Sequence, residues 1–500
     1  MDTTYQIHIT TQTRPLVAID RFDISRGKLT LLFGESGIGK SILSKAMYGL
    51  LDPLLLKVTV NGQAYSDYIQ TEQVTALKQG GFFVFQEPSS HLNPLLTIET
   101  QLREGGLSNV HSEEAILNHL WGGTRDVRMR QLLQVYPKPH RPSGGEKQRF
   151  LLAMAFKKIQ QYTDASTPSP YVTFVFDEPT GSLDNQARNL FLSLLLDRFR
   201  RRPFTTVLIT HDYSMISEVY DKHADLIPHF AFKELVQTEK QLVLDDFSPR
   251  FYLDWLKANR RPQTRPAPES AGSGDVLLHL ASGLRVFGRN LTLHSPDGKP
   301  AELALRRGQI VYLKAASGVG KTTLAKVLMG LISAESLNLR IGERQFSERT
   351  QSKVWRQHLW GKRVGMVFQH ADEALNLNAK VKDVFAGLPY PKKITPEYIR
   401  KTLAAYFPFE IDAPFLNKRI RYLSGGQKQR LNLLRTLSLN TDIILLDEPL
   451  NGLDFLSMKK VIDLLRQKQV EGKGILLISH NEEIFDSIEG VDQMYLKAEE

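Results

Sequence analysis

One stretch constrains this chain more than any other. Gly34-Glu35-Ser36-Gly37-Ile38-Gly39-Lys40-Ser41 fits G-x-x-x-x-G-K-[ST]. Before it, Lys28–Phe33 reads as a short buried strand; after it, Ile42, Leu43, Ala46, Met47, Leu50 and Leu51 fall at helical spacing. Strand, glycine-rich turn and helix start together predict a phosphate-binding loop. The glycines let backbone N–H groups turn toward a polyphosphate, and the helix N-terminus adds a favourable dipole. Gly34, Ser36, Gly37 and Gly39 shape the cradle, Lys40 offers a point charge, and the Ser41 hydroxyl suits Mg²⁺. A chance αβ turn would supply this pattern once. The chain carries it again at Ala315–Thr322, with Ser317, Gly318, Gly320, Lys321 and Thr322 in the matching places.

Other elements recur in the same order. Gln86 returns as Gln369, Ser143-Gly144-Gly145 as Ser424-Gly425-Gly426, Asp177-Glu178 as Asp447-Glu448, and His211 as His480. The displacement is about 280 residues for the earlier pairs and about 270 for the later ones, as expected of a tandem repeat with one insertion. The extra residues of the first copy include Asp164–Pro170, which reads as a surface loop. Between the copies, Asn259–Gly274 is rich in Pro, Gly, Ser and Arg without periodicity and reads as an exposed linker. The reading is therefore two α/β domains, 1–245 and 276–500, joined by a connector and linker over 246–275.

Composition narrows the classes. Cysteine is absent, which excludes disulfides, thiolate zinc sites and iron–sulfur clusters and fits a reducing compartment. No stretch approaches the apolar length of a membrane helix, and the N-terminus has no signal-peptide pattern. The net charge of +10 suits an anionic ligand or surface. Basic and aromatic residues are not interleaved, which argues against nucleic acid as partner.

The paired motifs carry hydrolytic chemistry. Phe174–Glu178 and Ile444–Glu448 are apolar strands closing on two carboxylates. Asp177 and Asp447 can orient Mg²⁺, and Glu178 and Glu448 can polarise an attacking water. Ser143-Gly144-Gly145 and Ser424-Gly425-Gly426 each open a helix and can bind an anion through hydroxyl and N–H groups.

Each half resembles the ATP-binding subunit of an ABC transporter, over almost the whole chain outside the linker. The resemblance implies tandem P-loop NTPase domains, each a RecA-like α/β core with an antiparallel β subdomain and a helical signature subdomain. It implies ATP and Mg²⁺ as cofactors and ATP hydrolysis as the activity. Gln86 and Gln369 resemble the glutamine that contacts Mg²⁺ and the lytic water; His211 and His480 resemble the switch histidine at the γ-phosphate. Asp184 and Asp454 resemble the D-loop aspartate. The resemblance also implies composite sites, with Ser424-Gly425-Gly426 completing the loop of Lys40 and Ser143-Gly144-Gly145 that of Lys321.

Three departures bear on the second loop and its signature partner. Ala315 stands where Gly34 stands, Pro142 replaces the usual leucine, and Glu146 the usual glutamine. If the position of Gly34 requires positive φ, a Cβ there shifts the loop, and the expectation is slower turnover at that site. No adenine-stacking aromatic stands out in the first half; Phe287 is the candidate in the second.

Gln86–Ile98, with Leu92-Asn93-Pro94, resembles the segment following that glutamine in oligopeptide, dipeptide and nickel importers, as does Tyr136-Pro137. The second half has Leu375-Asn376-Leu377 instead. This branch implies peptides, nickel or metal chelates as cargo, two permease subunits and a solute-binding protein as partners, and a peripheral place on the cytoplasmic face of the inner membrane. Two alternatives stay open: a soluble tandem ATPase acting on ribosomes or nucleic acid, and the ATPase of a vitamin- or cobalt-type importer.

Overall fold

A computed structural model describes residues 2–12, 15–104, 110–123, 127–135, 138–181, 183–238, 241–259, 275–316, 318–390, 394–407 and 409–499. Tyr136-Pro137, most of the linker, Ser182 and Ser317 lie outside the described residues. The chain divides into two compact units, Met1–Arg250 and Phe251–Glu500.

Among the described residues, the first unit has a four-stranded and a six-stranded sheet. The six-stranded sheet runs Leu242–Asp246, Phe230–Gln237, Leu29–Gly34, Thr205–Ile209, Thr173–Asp177, Phe82–Val84. All its pairings are parallel except that of Leu242–Asp246 with Phe230–Gln237. Leu29–Gly34, Thr173–Asp177 and Thr205–Ile209 are buried along their whole length, as apolar runs covered on both faces should be. The four-stranded sheet is antiparallel, led by Asp2–Thr10 against Pro15–Ser25. Its inward residues Ile7, Ile9 and Phe22 share a core with Leu43 and Met47 of the helix Lys40–Tyr48. That helix stops before Leu50 and Leu51, which the spacing had placed on it. Gly49 turns left-handed at φ 78 and its N–H caps Lys45 and Ala46 carbonyls.

Among the described residues of the second unit, the antiparallel strands continue into the parallel ones as a ten-stranded sheet. The join is Arg289–His294 against Val491–Glu499, which then runs parallel to Ile310–Lys314. Ile310–Lys314, Gly474–Ile478, Ile443–Asp447 and Val364–Val367 follow in that order, all parallel. A separate helical core gathers Phe385, Leu403, Phe407, Ile420, Leu431 and Leu434.

Two stretches differ from their sequence reading. The first copy's extra residues are only partly loop: the helix Gly144–Asp164 has 21 residues, against 13 in Gly425–Leu437. The stretch expected to be connector holds a helix, Pro249–Asn259, whose Tyr252 and Leu256 are buried. Among the described residues no helix is long and apolar enough to cross a membrane.

Candidate active sites

In each unit the parallel strands end at one edge of the sheet, where open α/β sheets bind ligands. The residues singled out from sequence follow those strand ends: Lys40 after Gly34, Glu178 after Asp177, His211 after Ile209, and Gln86 after Val84. The second unit repeats this with Lys321, Glu448, His480 and Gln369.

The lysines of the two phosphate loops are almost fully buried. Lys40 Nζ donates to the carbonyls of Gly34 (2.6 Å) and Glu35 (3.0 Å), and Lys321 Nζ to those of Ala315 (2.6 Å) and Ala316 (3.4 Å). Each ammonium thus closes its own loop. Burial pulls Lys40 below the ordinary lysine range, against the opposing charges of Glu178 and Asp177. Gly37 and Gly39 have φ of 78 and 122, and Gly318 and Gly320 match them at 80 and 114. The loops differ at their first position. Gly34 pairs with Leu235 at φ 134, and a Cβ there would come within 2.7 Å of the Leu235 carbonyl. In the second unit the corresponding pairing ends at Lys314, so Ala315 has left the sheet, and it has no positive φ. The alanine is accommodated by a different backbone.

Both strand-end glutamates adopt φ 50, a left-handed conformation strained for a side chain of this size. Their N–H groups hold them there: Glu178 donates to Ile209 O (3.0 Å) and Glu448 to Ile478 O (2.9 Å). The backbone thereby aims each carboxyl across to the neighbouring strand, where the histidine follows. The partners then diverge. In the first unit His211 Nδ1 lies 2.6 Å from Glu178 Oε2. Burial alone would raise the Glu178 pKa, but the His211 charge and hydrogen bond, with Lys40, hold it below the usual range. Burial opposes charge on His211 too, and Glu178 outweighs it, so the imidazole pKa is raised. In the second unit Glu448 Oε2 accepts from Ser479 Oγ (3.0 Å) and from the His480 backbone N–H (3.2 Å). The His480 ring stays 3.6 Å from Oε1. Burial pushes Glu448 up to about 7, only partly offset by those donors.

The neighbouring aspartates suit a divalent cation. Asp177, 1% exposed, accepts from Ser41 Oγ at 2.8 Å, and burial pushes it up to about 6. Asp447 is equally buried, and neither of its oxygens completes a hydrogen bond, although Thr322 is near enough to temper the rise that burial causes. An acceptor-only group so enclosed calls for a positive partner. Ser41 with Asp177 in the first unit, and Thr322 with Asp447 in the second, therefore each offer hard oxygens that would fit Mg²⁺.

The signature serines are helix caps. Ser143 and Glu146 form a reciprocal capping box, and Ser424 and Gln427 form another. Glu146 thus does the local work of the glutamine it replaces. Gly144 and Gly425 are exposed, Gly145 is half-buried and Gly426 buried. Asp184 and Asp454 are caps as well, accepting from Ala187 N and Ser457 N at 2.8 Å. Gln86 is exposed and Gln369 half-buried. The segment after Gln86 is pinned by Asn93, whose Oδ1 accepts from Leu95 N and whose backbone exchanges hydrogen bonds with Gln101. Asn376 forms the same turn with Asn378 N. Phe287 sits at a hairpin tip, 73% exposed at φ 53.

Sequence reasoning missed the residues that brace these elements. Lys147 reaches Ser89 Oγ (3.2 Å), and its counterpart Lys428 reaches Asp372 (2.9 Å), so each signature helix is tied to the segment after the glutamine. Arg188 binds Asp212 (2.9 Å) and the Ser214 hydroxyl. Arg430 binds Asp454 (2.5 Å) and Ser457. Their signal was a buried arginine on an otherwise apolar helix face.

A sequence model of the family described as ABC transporter matches residues 18–162 and again 299–451. The chain is 29% identical to a peptidoglycan transport ATP-binding protein, YejF, of Agrobacterium fabrum, over 93% of this chain and 85% of that one. It is 24% identical to the glutathione import ATP-binding protein GsiA of Shigella dysenteriae, over 95% and 81%. Among solved structures, an RNase-L inhibitor shares the fold with a TM-score of 0.61 at 17% identity, over 98% of this chain and 89% of that one.

Proposed function

The chain belongs to the ABC transporter family as an ATP-binding protein with two fused ATPase domains, and from that premise we propose that it is the energy-coupling subunit of a membrane importer. The observation that carries this reading is the duplicated corner: a buried loop lysine, a buried aspartate, a strained glutamate and a following histidine in each unit. Two intact corners suit an engine that hydrolyses ATP for work elsewhere. The branch is supported by the Asn93 turn and its counterpart at Asn376. Relatives named for peptidoglycan transport and glutathione import support a peptide-like cargo; nickel and metal chelates belong to the same proposal. Permeases would hold the chain at the membrane face, and the cargo would touch them and a solute-binding protein.

In this mechanism Lys40 and Lys321 leave the loop carbonyls they now satisfy and bind phosphate oxygens of ATP. Bound Mg²⁺, held by Ser41 with Asp177 and by Thr322 with Asp447, would neutralise phosphate charge. Glu178 and Glu448 accept a proton from the attacking water, and His211 and His480 hold the γ-phosphate side. Gln86 and Gln369 orient the water.

The test is recovery of the tagged chain from detergent-extracted membranes of its host, with turnover measured on the complex. Co-purification of multi-span permeases is expected, together with a fall in turnover of about a hundredfold when Glu178→Gln and Glu448→Gln are combined. Recovery with ribosomes or DNA and without permeases would sink the transport reading.

A further inference from the structure

We propose that Phe247–Asn259 is a strut coupling the switch regions of the two units, with Phe247 and Tyr252 as positioning residues. This rests on assigning the two corners to catalysis and goes beyond it, because it assigns a role to a stretch between the repeats.

The strut is rooted at both ends. In the first unit Phe247 is buried, and its N–H donates to Phe232 O at 3.0 Å. Its ring lies 5.2 Å from Phe33 and 5.4 Å from Tyr213, and those two stack at 4.6 Å, within 10° of parallel. Phe33 immediately precedes Gly34, and Tyr213 follows His211 by two positions. The trio therefore joins the strut to the roots of the phosphate loop and of the histidine loop.

In the second unit the rings of Phe251, Tyr252 and Trp255 surround Phe455 edge-on, at 5.3, 5.3 and 5.5 Å. Phe455 follows Asp454 directly. Tyr252 is fully buried, and its hydroxyl donates to Glu483 Oε2 at 2.8 Å, on the turn of helix after His480. Arg466 Nη2 donates to Asn259 Oδ1 at 2.8 Å and latches the far end of the helix.

Only Ser248, Pro249, Arg250 and Phe251 separate the two roots along the chain. Proline fixes one of those backbone torsions. The Pro- and Gly-rich stretch comes after the rooted helix and cannot loosen the link. A shift at His211 that moves Tyr213 therefore pulls on Phe247, and through it on Tyr252, Glu483 and Phe455. Burial of apolar surface alone would explain the rings. It would not direct the buried Tyr252 hydroxyl to the helix that follows His480.

The test uses the full chain with ATP and Mg²⁺. One variant inserts Gly-Ser-Gly between Ser248 and Pro249, keeping every rooted residue but slackening the link. A second is Tyr252→Phe, which keeps the ring and removes the hydroxyl. The insertion is expected to lower kcat about tenfold, with KM and the thermal midpoint nearly unchanged. Tyr252→Phe, made in a Glu178→Gln background so that the second corner is read, is expected to lower kcat about fivefold, the loss of one hydrogen bond to a carboxylate. The strut is overturned if both variants keep kcat within about twofold of their parents, or if kcat falls only in step with the thermal midpoint. If Glu178→Gln and Glu448→Gln themselves leave turnover intact, the corner assignment fails, and the strut fails with it for that separate reason.

Discussion

Glu178 rests 2.6 Å from the His211 ring, whereas Glu448 takes its hydrogen bonds from the Ser479 hydroxyl and the His480 backbone. The backbones of the two corners agree closely, down to φ 50 at both glutamates. Their charges are wired differently. In the first unit Arg188 clamps Asp212, next to His211. In the second, Met458 and Asn481 stand in those places, and the buried arginine is Arg430 instead, bound to Asp454. The arginine and the aspartate are absent together from the second unit. That is expected if either alone would leave an uncompensated charge in a poorly solvated place. A duplicated corner can thus keep its backbone while the charge network around it moves from the histidine loop to the D-loop.

The largest effect should come where the backbones do differ. Gly34→Ala is expected to destabilise the first unit by about 3 kcal/mol, because its φ is left-handed and the new Cβ meets the Leu235 carbonyl. Ala315→Gly in the second should change stability by less than about 1 kcal/mol. Denaturant unfolding of both variants checks the pair, and equal losses would break the comparison.

Next comes the wiring. Arg188→Met, which installs the residue of the second unit, leaves Asp212 with the Ser214 hydroxyl but without its cation. A loss of about 2 kcal/mol is expected, reduced from the fully buried case because Asp212 keeps some exposure. Amide exchange should quicken in Ser214–Lys222 and not around His480. Arg430→Met should do the reverse, loosening Asp454 and leaving the first unit alone.

These contrasts explain what was legible beforehand. The phosphate loops, the acid pairs and the histidines could be read because glycine, lysine and carboxylates at strand ends have few other uses. The order of the strands was not read from the sequence, since it is set by crossovers between segments distant along the chain. The conformation of Glu178 and Glu448 could not be read, since it comes from a hydrogen bond to a strand distant in sequence. Glu146 looked like a departure because letters were compared, whereas reciprocal capping asks only for an acceptor at the right reach. The end of the helix after Lys40 was overrun because Leu50 and Leu51 kept the apolar spacing, and Gly49 was the stop signal. The helix Pro249–Asn259 was hidden by its leading proline and by the polar stretch behind it. Its apolar positions, Phe251, Tyr252, Trp255 and Leu256, recur at helical spacing and could have revealed it.

A smaller effect sharpens the contrast at the glutamates. Ser479→Ala removes a hydroxyl that donates to Glu448 as well as accepting from Asn481 N (3.1 Å), and in a Glu178→Gln background it should lower kcat about fivefold. Thr210→Ala, in a Glu448→Gln background, should do less. There the Thr210 hydroxyl makes the matching cap on Asp212 N (3.0 Å), but Glu178 is held by His211 instead. Equal losses at the two positions would mean that the corners share one hydrogen-bonding plan after all.

The smallest effect concerns the signature caps. Glu146→Gln turns the first capping box into the chemistry of the second. The amide oxygen of glutamine can still accept from Ser143 N, now 2.7 Å from Glu146 Oε2. What disappears is one negative charge at a helix N-terminus, where it is favourable by about 0.5 kcal/mol. The thermal midpoint should therefore fall slightly. The same charge also repels any phosphate brought to Ser143 and Gly144, so ATP affinity should rise about twofold as stability drops. Opposite signs in the two readouts would mark Glu146 as a residue that strengthens the helix at the expense of anion binding. A fall in both would make it a cap and nothing more.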